Sequence, residues 1–115
     1  MKRSSRLTRS EDIYRVRQQG RSFVHDAIVL GVKPNQFDHN RIAIIAGRSV
    51  GGAVQRNLAK RRMRSAFQEV VLQGHQGYDL VIIARRPILD FAYAHLVRVL
   101  EELLDQAGLL KDQAS

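Results

Sequence analysis

The sequence predicts an α/β domain: one mixed four-stranded sheet with helices packed on it, in the order helix, three strands, helix, strand, helix. Three observations carry this. The chain has 115 residues of which 44% are apolar, enough for one modest core. Its apolar residues recur at helical spacing in three segments and in strand-like runs in four others. Nothing repeats and nothing suggests a linker, so residues 1–115 read as a single domain, with residues 111–115 frayed.

The first helix is short. Thr8 followed by Glu11 has capping-box spacing, Ile13, Val16 and Tyr14 form an apolar stripe, and Gly20 ends it. Residues 22–32 are β-rich but interrupted at His25 and Asp26, giving a short edge piece and then a strand from 27 to 32. Residues 34–40 have turn chemistry, and 41–46 form the next strand. After a glycine-bearing turn, residues 53–73 are helical, with Ala59, Met63, Ala66, Phe67 and Val70 on one side and Gly74 to Gly77 as the stop. Residues 79–84 make a continuous apolar strand, covered on both faces. Pro87 breaks the chain, Asp90 caps a last helix with Tyr93, Leu96, Leu100, Leu103, Leu104 and Ala107 in its stripe, and Gly108 ends it.

Charge gives the first functional direction. The chain carries 19 Lys and Arg against 11 Asp and Glu, a formal net charge of +8, on a composition too apolar for disorder. Residues 1–65 hold 15 basic and 4 acidic side chains, net +11, and residues 66–115 hold 4 basic and 7 acidic, net −3. Between Arg41 and Ser65 there are seven cations and no acid. A solvated helix face normally offsets Lys and Arg with Glu four residues away, so a polyanion is the expected partner. The absence of cysteine excludes a disulfide frame, a thiolate nucleophile and a Cys-rich zinc site. The longest apolar runs fall far short of a membrane span and no signal-peptide core follows the basic start, so a cytoplasmic protein with no membrane association is expected.

On a helical wheel of about 100° per residue, Arg56, Lys60 and Arg64 fall at successive four-residue steps, with Asn57 and Arg61 in the adjoining row. That arc lies apart from the apolar one, so the helix can bury one side and present cations on the other. Arginine offers a planar fork of donors, lysine a point charge, and asparagine a donor and an acceptor for a sugar hydroxyl or base edge. Gly51 and Gly52 leave the helix-start amides unobstructed, where the dipole favours an anion. No Lys-Ser/Thr follows the glycines, which excludes a Walker loop.

The stretch 51–67, GGAVQRNLAKRRMRSAF, resembles the Arg-Asn-Arg signature of the protein subunit of bacterial ribonuclease P. The flanks agree: Arg6-Leu7, Glu11-Asp12 and Gly20 resemble the family's opening, and DLVIIARRP at 79–87 its last strand and turn. The resemblance covers roughly residues 6–110. It implies an α+β two-layer sandwich of order αβββαβα, in which a left-handed βαβ crossover carries the basic helix, against the usual rule. It also implies a partner, the catalytic RNA subunit, which binds Mg²⁺ and holds the catalytic centre, and a substrate, precursor tRNA, whose 5′ leader is removed by hydrolysis of one phosphodiester bond. By the resemblance Arg48, Arg56, Asn57, Lys60, Arg61 and Arg64 face the RNA subunit, and a cleft between the first helix and the sheet holds the leader. No obligate protein partner is expected.

This chain departs from the pattern in two places. Leu58 stands where the family usually has Arg, so one phosphate contact is missing, and Arg62 is the nearest cation to take it over. In the leader cleft, where the family tends to place aromatics, this chain has Ile13, Arg17 and Gly31. Arg17 can attract leader phosphates or stack on a base, making leader binding more electrostatic. Tyr14 and Phe23 lie near enough to be considered there, but both read as core.

No protein-borne catalytic centre is legible. His25, His39, His75 and His95 lack ligand spacing, and the adjacent pairs Glu11-Asp12 and Glu101-Glu102 diverge on a helix. The alternative reading is a stand-alone structured-RNA-binding module, such as a ribosome-associated protein, using the same ridge. A helix-turn-helix regulator fits less well because a strand precedes the basic helix, and a self-sufficient nuclease less still because residues 41–65 lack metal-binding carboxylates.

Overall fold

The computed structural model describes residues 6–71 and 77–110. The expected helix stop at Gly74, the residues beyond Val71, His75 and the tail 111–115 lie outside the described residues. The elements are α1 (Ser10–Gln19), β1 (Arg21–Val24), β2 (Ile28–Pro34), β3 (Arg41–Ala46), α2 (Ala53–Val71), β4 (Tyr78–Ala84) and α3 (Tyr93–Gln106), with a 3-10 turn over Arg86–Asp90. No helix among the described residues is long and apolar enough to cross a membrane.

The sheet runs β1-β2-β4-β3, with β3 parallel to β4 and the other two pairings antiparallel. Thus α2 is the crossover between parallel neighbours, and β4 is an inner strand. This position explains its unbroken apolar sequence: Leu80, Ile82 and Ala84 are buried on one face and Val81 on the other. Alternation along the strands sorts the core into two clusters. Ile28, Leu30, Val32, Leu80 and Ile82 pack with Met63 and Phe67 of α2 and Leu96, Leu100 and Leu104 of α3. Val81 and Ala43 on the opposite face pack with Val16 of α1 and with Leu7. The sheet with α2 and α3 makes two packed layers, and α1 lies across part of the other face.

The capping box expected at Thr8 and Glu11 does not form: the cap residue is Arg9, without a side-chain cap bond. The cause is a tertiary contact. Arg6 bridges Ile42, and the Leu7 N–H donates to the Ile42 carbonyl at 2.8 Å, so the chain stays extended until Ser10. Gly20 does end α1, through lack of space. A Cβ there would lie 2.5 Å from the carbonyl oxygens of both Val16 and Val32.

Asp90 likewise is not the cap of α3. It closes the 3-10 turn, and Ala92 caps the helix. Tyr93 is 41% exposed and its hydroxyl bonds Glu69 instead of joining the core. At the other end Gly108 adopts φ +75°, its N–H donates to Asp105, and that of Leu109 to Leu104, the Schellman arrangement with Leu109 buried behind it.

Candidate nucleic-acid interface

The turn that launches α2 is tight: the Val50 N–H donates to Gly47 and the Gly51 N–H to Arg48, with Val50 buried as its anchor. Gly51 sits at φ +145°, which a side chain rarely adopts. The helix start is less open than expected. The Gln55 side chain lies over both glycines, close enough that an added Cβ would touch it at 3.0 Å on Gly51 and 3.2 Å on Gly52.

Burial of Ala59, Met63, Ala66, Phe67 and Val70 fixes the rotation of α2 about its axis. Asn57, Arg61 and Arg64 are therefore exposed, Arg56 and Lys60 are half-buried on the near flank, and Arg48 is exposed in the preceding turn. The five side chains on α2 share one surface by helical spacing. Among the described residues no carboxylate pairs with any of its cations, the ion pairs being those of Arg15, His39 and Arg41. The Nε of Arg56 is buried with no acceptor.

Arg62 does not belong to this surface. Its guanidinium turns toward the 3-10 turn, Nη1 donating to the Ile88 carbonyl at 3.1 Å and Nη2 to that of Phe91. It falls on the flank of α2 facing that turn, so it does not replace the cation missing at position 58. Leu58 itself is 43% exposed and Val54, one turn earlier, 77%.

On the opposite face, α1 descends onto β2. Gly31 is buried beneath Val16, and a Cβ there would lie 3.2 Å from the Val16 side chain, so Gly31 permits the close approach without offering a contact of its own. Ile13, Ile45 and Ile83 pack against the small cluster of Leu7, Val16, Ala43 and Val81, and Arg17 is exposed one turn beyond Ile13. Beyond them Val24, Val29, Ile83 and Ile45 stand in register across the four strands and remain partly or fully open. The cleft thus has an aliphatic floor. Arg85 continues the extended chain of β4 at φ −114° and ψ 159°, so alternation puts its side chain on the same face, at the end of that floor. Sequence reading missed both; the available signal was the alternation of β4 carried two residues past Ile83. Of the two aromatics considered for the cleft and read as core, Phe23 does pack against the core on the α2/α3 side, whereas Tyr14 is 66% exposed.

Several other polar groups have structural partners. The Arg41 guanidinium grips Asp79 through Nε at 2.8 Å and Nη2 at 2.7 Å, Asn35 donates to Asp79 at 2.9 Å, and Asp12 lies 3.6 Å from Arg41. Burial would raise the Asp79 carboxyl, but the bonds from Arg41 and Asn35 outweigh it and hold the group below the ordinary aspartate range. His25 accepts from the Ala27 N–H, and Phe91 stacks on His95. Among the described residues no group of three or more His, Asp or Glu is placed to hold a metal ion.

A compact α/β sandwich with an unpaired cationic row on one helix, and no catalytic or metal cluster among its described residues, is the surface of an RNA-binding protein. The family model for ribonuclease P matches residues 1–108. A ribonuclease P protein component from Dehalococcoides mccartyi is 38% identical over 96% of this chain and 90% of its own length, and one from Chloroflexus aurantiacus is 40% identical over 96% and 82%. Among solved structures, a mutant of the Staphylococcus aureus RNase P protein superposes with a TM-score of 0.85 at 27% identity, covering 93% of this chain and 91% of that one. The Thermotoga maritima RNase P protein gives 0.79 at 26% identity, covering 88% and 96%. The chain belongs to the ribonuclease P protein family.

Proposed function

We propose that this chain works as one RNA-binding domain, the protein component of a ribonuclease P. It binds the RNA subunit through Arg48, Arg56, Asn57, Lys60, Arg61 and Arg64, and steadies the 5′ leader of precursor tRNA in the cleft beside α1. The observation that carries this reading is the cationic row of α2, which faces away from the core and meets no carboxylate among the described residues. Such a row gains affinity chiefly by displacing the counterions of a phosphate backbone. In the cleft, Ile13, Ile45 and Ile83 offer apolar contact without stacking, while Arg17 and Arg85 supply charge from the wall and the far end. The leader is held there by its phosphates more than by its bases.

The protein's part in the hydrolysis is to bind and to orient, and the scissile bond is cut at the RNA. The Mg²⁺ requirement is assigned to the RNA as well, whose phosphates offer the hard oxygen ligands that this chain's described residues do not gather. The test is cleavage of a precursor tRNA at low Mg²⁺ by the cognate RNA alone, the protein alone, and both. Cutting at the mature 5′ end by the combination only is the expected result. A protein that adds nothing to its cognate RNA would show that the ridge serves another RNA.

A further inference from the structure

The outer edge of β3 is unusual for an edge strand. Its first rung is occupied, since Arg6 bridges Ile42 and the Leu7 N–H donates to the Ile42 carbonyl. The chain then leaves to start α1. A strand repeats every two residues, so the N–H and carbonyl of Ile44 point to the same outer side as those of Ile42, and no described residue bonds them there. Exposed edges are normally blunted by a bulge, a proline or a covering element. Here the edge opens into a hollow of about 200 Å³ lined in part by Arg6, Thr8, Ile44 and Arg64, which borders the cleft beside α1 and shares Ile13 and Ile45 with it.

The lining has a definite chemistry. The floor is aliphatic, the rim carries two guanidiniums and a hydroxyl, and no acidic side chain takes part. A free amide and carbonyl on one strand edge are a donor and an acceptor at fixed spacing, the complement of a base edge, and single-stranded bases are read on such edges. The volume suits a single-nucleotide subsite and is below that of an ordinary small-molecule pocket. An added peptide strand would also satisfy the edge, but two cations with no counter-charge among the described residues favour a polyanion. Arg64 belongs both to this hollow and to the outer row of α2, so the hollow continues that row around the sheet edge.

We propose that the open edge of β3 is a site for one unpaired nucleotide of the RNA subunit, its base against the Ile44 main chain and its phosphates between Arg6 and Arg64. The proposal rests on the RNA-facing reading of α2 and adds a base contact to it.

The chain has no cysteine, so single-cysteine variants carry a photo-cross-linker at one defined place. Thr8→Cys reports the hollow, Ser65→Cys the exposed side of α2, and Glu102→Cys on α3 is the background control. Each variant is assembled with the cognate RNA subunit and irradiated with and without precursor tRNA. The expected result is a cross-link from Thr8→Cys to one unpaired nucleotide of the RNA subunit, present without precursor, and protection of that base from chemical modification that is lost in Arg6→Ala. A cross-link from Ser65→Cys but none from Thr8→Cys would overturn the edge site and leave the α2 reading intact. A Thr8→Cys product with the leader, with a paired helix or with protein would overturn it too. Failure of both positions would remove the α2 reading and this proposal with it.

Discussion

Arg62 sits among the cations of an RNA-facing helix, yet its guanidinium is spent inside the protein. Replacing it with alanine therefore separates folding from binding. The substitution removes two charge-assisted hydrogen bonds, to the carbonyls of Ile88 and Phe91. Such bonds contribute about 1.5–3 kcal/mol each where they are fully buried. Arg62 is only half-buried, so water recovers part of this, and the expected net cost is roughly 2–3 kcal/mol. At about 2.1 cal/mol/K per residue, 115 residues have an unfolding entropy of roughly 240 cal/mol/K, so the loss lowers Tm by about 8–12 °C. Thermal unfolding of the free protein measures this. The companion assay is RNA-subunit affinity against salt, well below the lowered Tm, where the slope of log K on log salt should match that of the unsubstituted protein. Arg61→Ala should do the reverse, leaving Tm in place and flattening the slope by about one unit. An Arg62→Ala protein with unchanged Tm and a flattened slope would refute this assignment.

Other positions give independent checks. Leu58→Arg restores a cation on the exposed side of α2 and should steepen the salt slope by up to about one unit; no change would mean that this part of the helix does not meet phosphate. Arg17→Ala should weaken binding of leader-bearing precursor tRNA more than of mature tRNA, and equal losses in a binding assay would remove it from the leader cleft. Gly20→Ala drives a Cβ onto two main-chain carbonyls and should cost about 1–3 kcal/mol by denaturant unfolding, with a neutral result contradicting the close approach of α1 to β2. The pH dependence follows from Asp79, whose folded pKa lies below its unfolded one. The unfolded chain then binds more protons, so this contribution is complete above about pH 4 and is lost as pH falls through the folded value. Asp79→Asn should flatten that acid limb and cost roughly 2–4 kcal/mol at neutral pH, near the low end for breaking a buried pair because Arg41 keeps 20% of its side chain exposed; an unaltered acid limb would exclude it.

The fold was legible wherever local pattern and tertiary demand agree. Ala59, Met63, Phe67 and Val70 declare the buried side of α2, and the run from Leu80 to Ala84 declares an inner strand. What failed to show was set by contacts across the chain. Thr8 has the right neighbours for a capping box, but the bond from Leu7 to Ile42 holds the backbone extended past it. Asp90 and Tyr93 look like a cap and a core residue until the 3-10 turn rotates both away. The same limit governs the site. The outer row of α2 follows from helical spacing alone, whereas Arg62, equally basic and one position further round, is withdrawn by two carbonyls 26 and 29 residues away. The aliphatic floor of the cleft needed the strand register, which places Val24, Val29, Ile83 and Ile45 side by side from three distant segments.

The central claim is that the outer row of α2 meets the phosphates of the ribonuclease P RNA. Its most direct test is the salt dependence of RNA-subunit affinity for the unsubstituted protein and for a variant with Arg56, Lys60, Arg61 and Arg64 all changed to alanine, the fold being checked by circular dichroism. At roughly 0.7–0.9 per phosphate contact, the slope of the variant should be shallower by about 3 units, with affinity lost most at low salt. Parallel lines from a folded variant would mean that the RNA binds elsewhere on the protein.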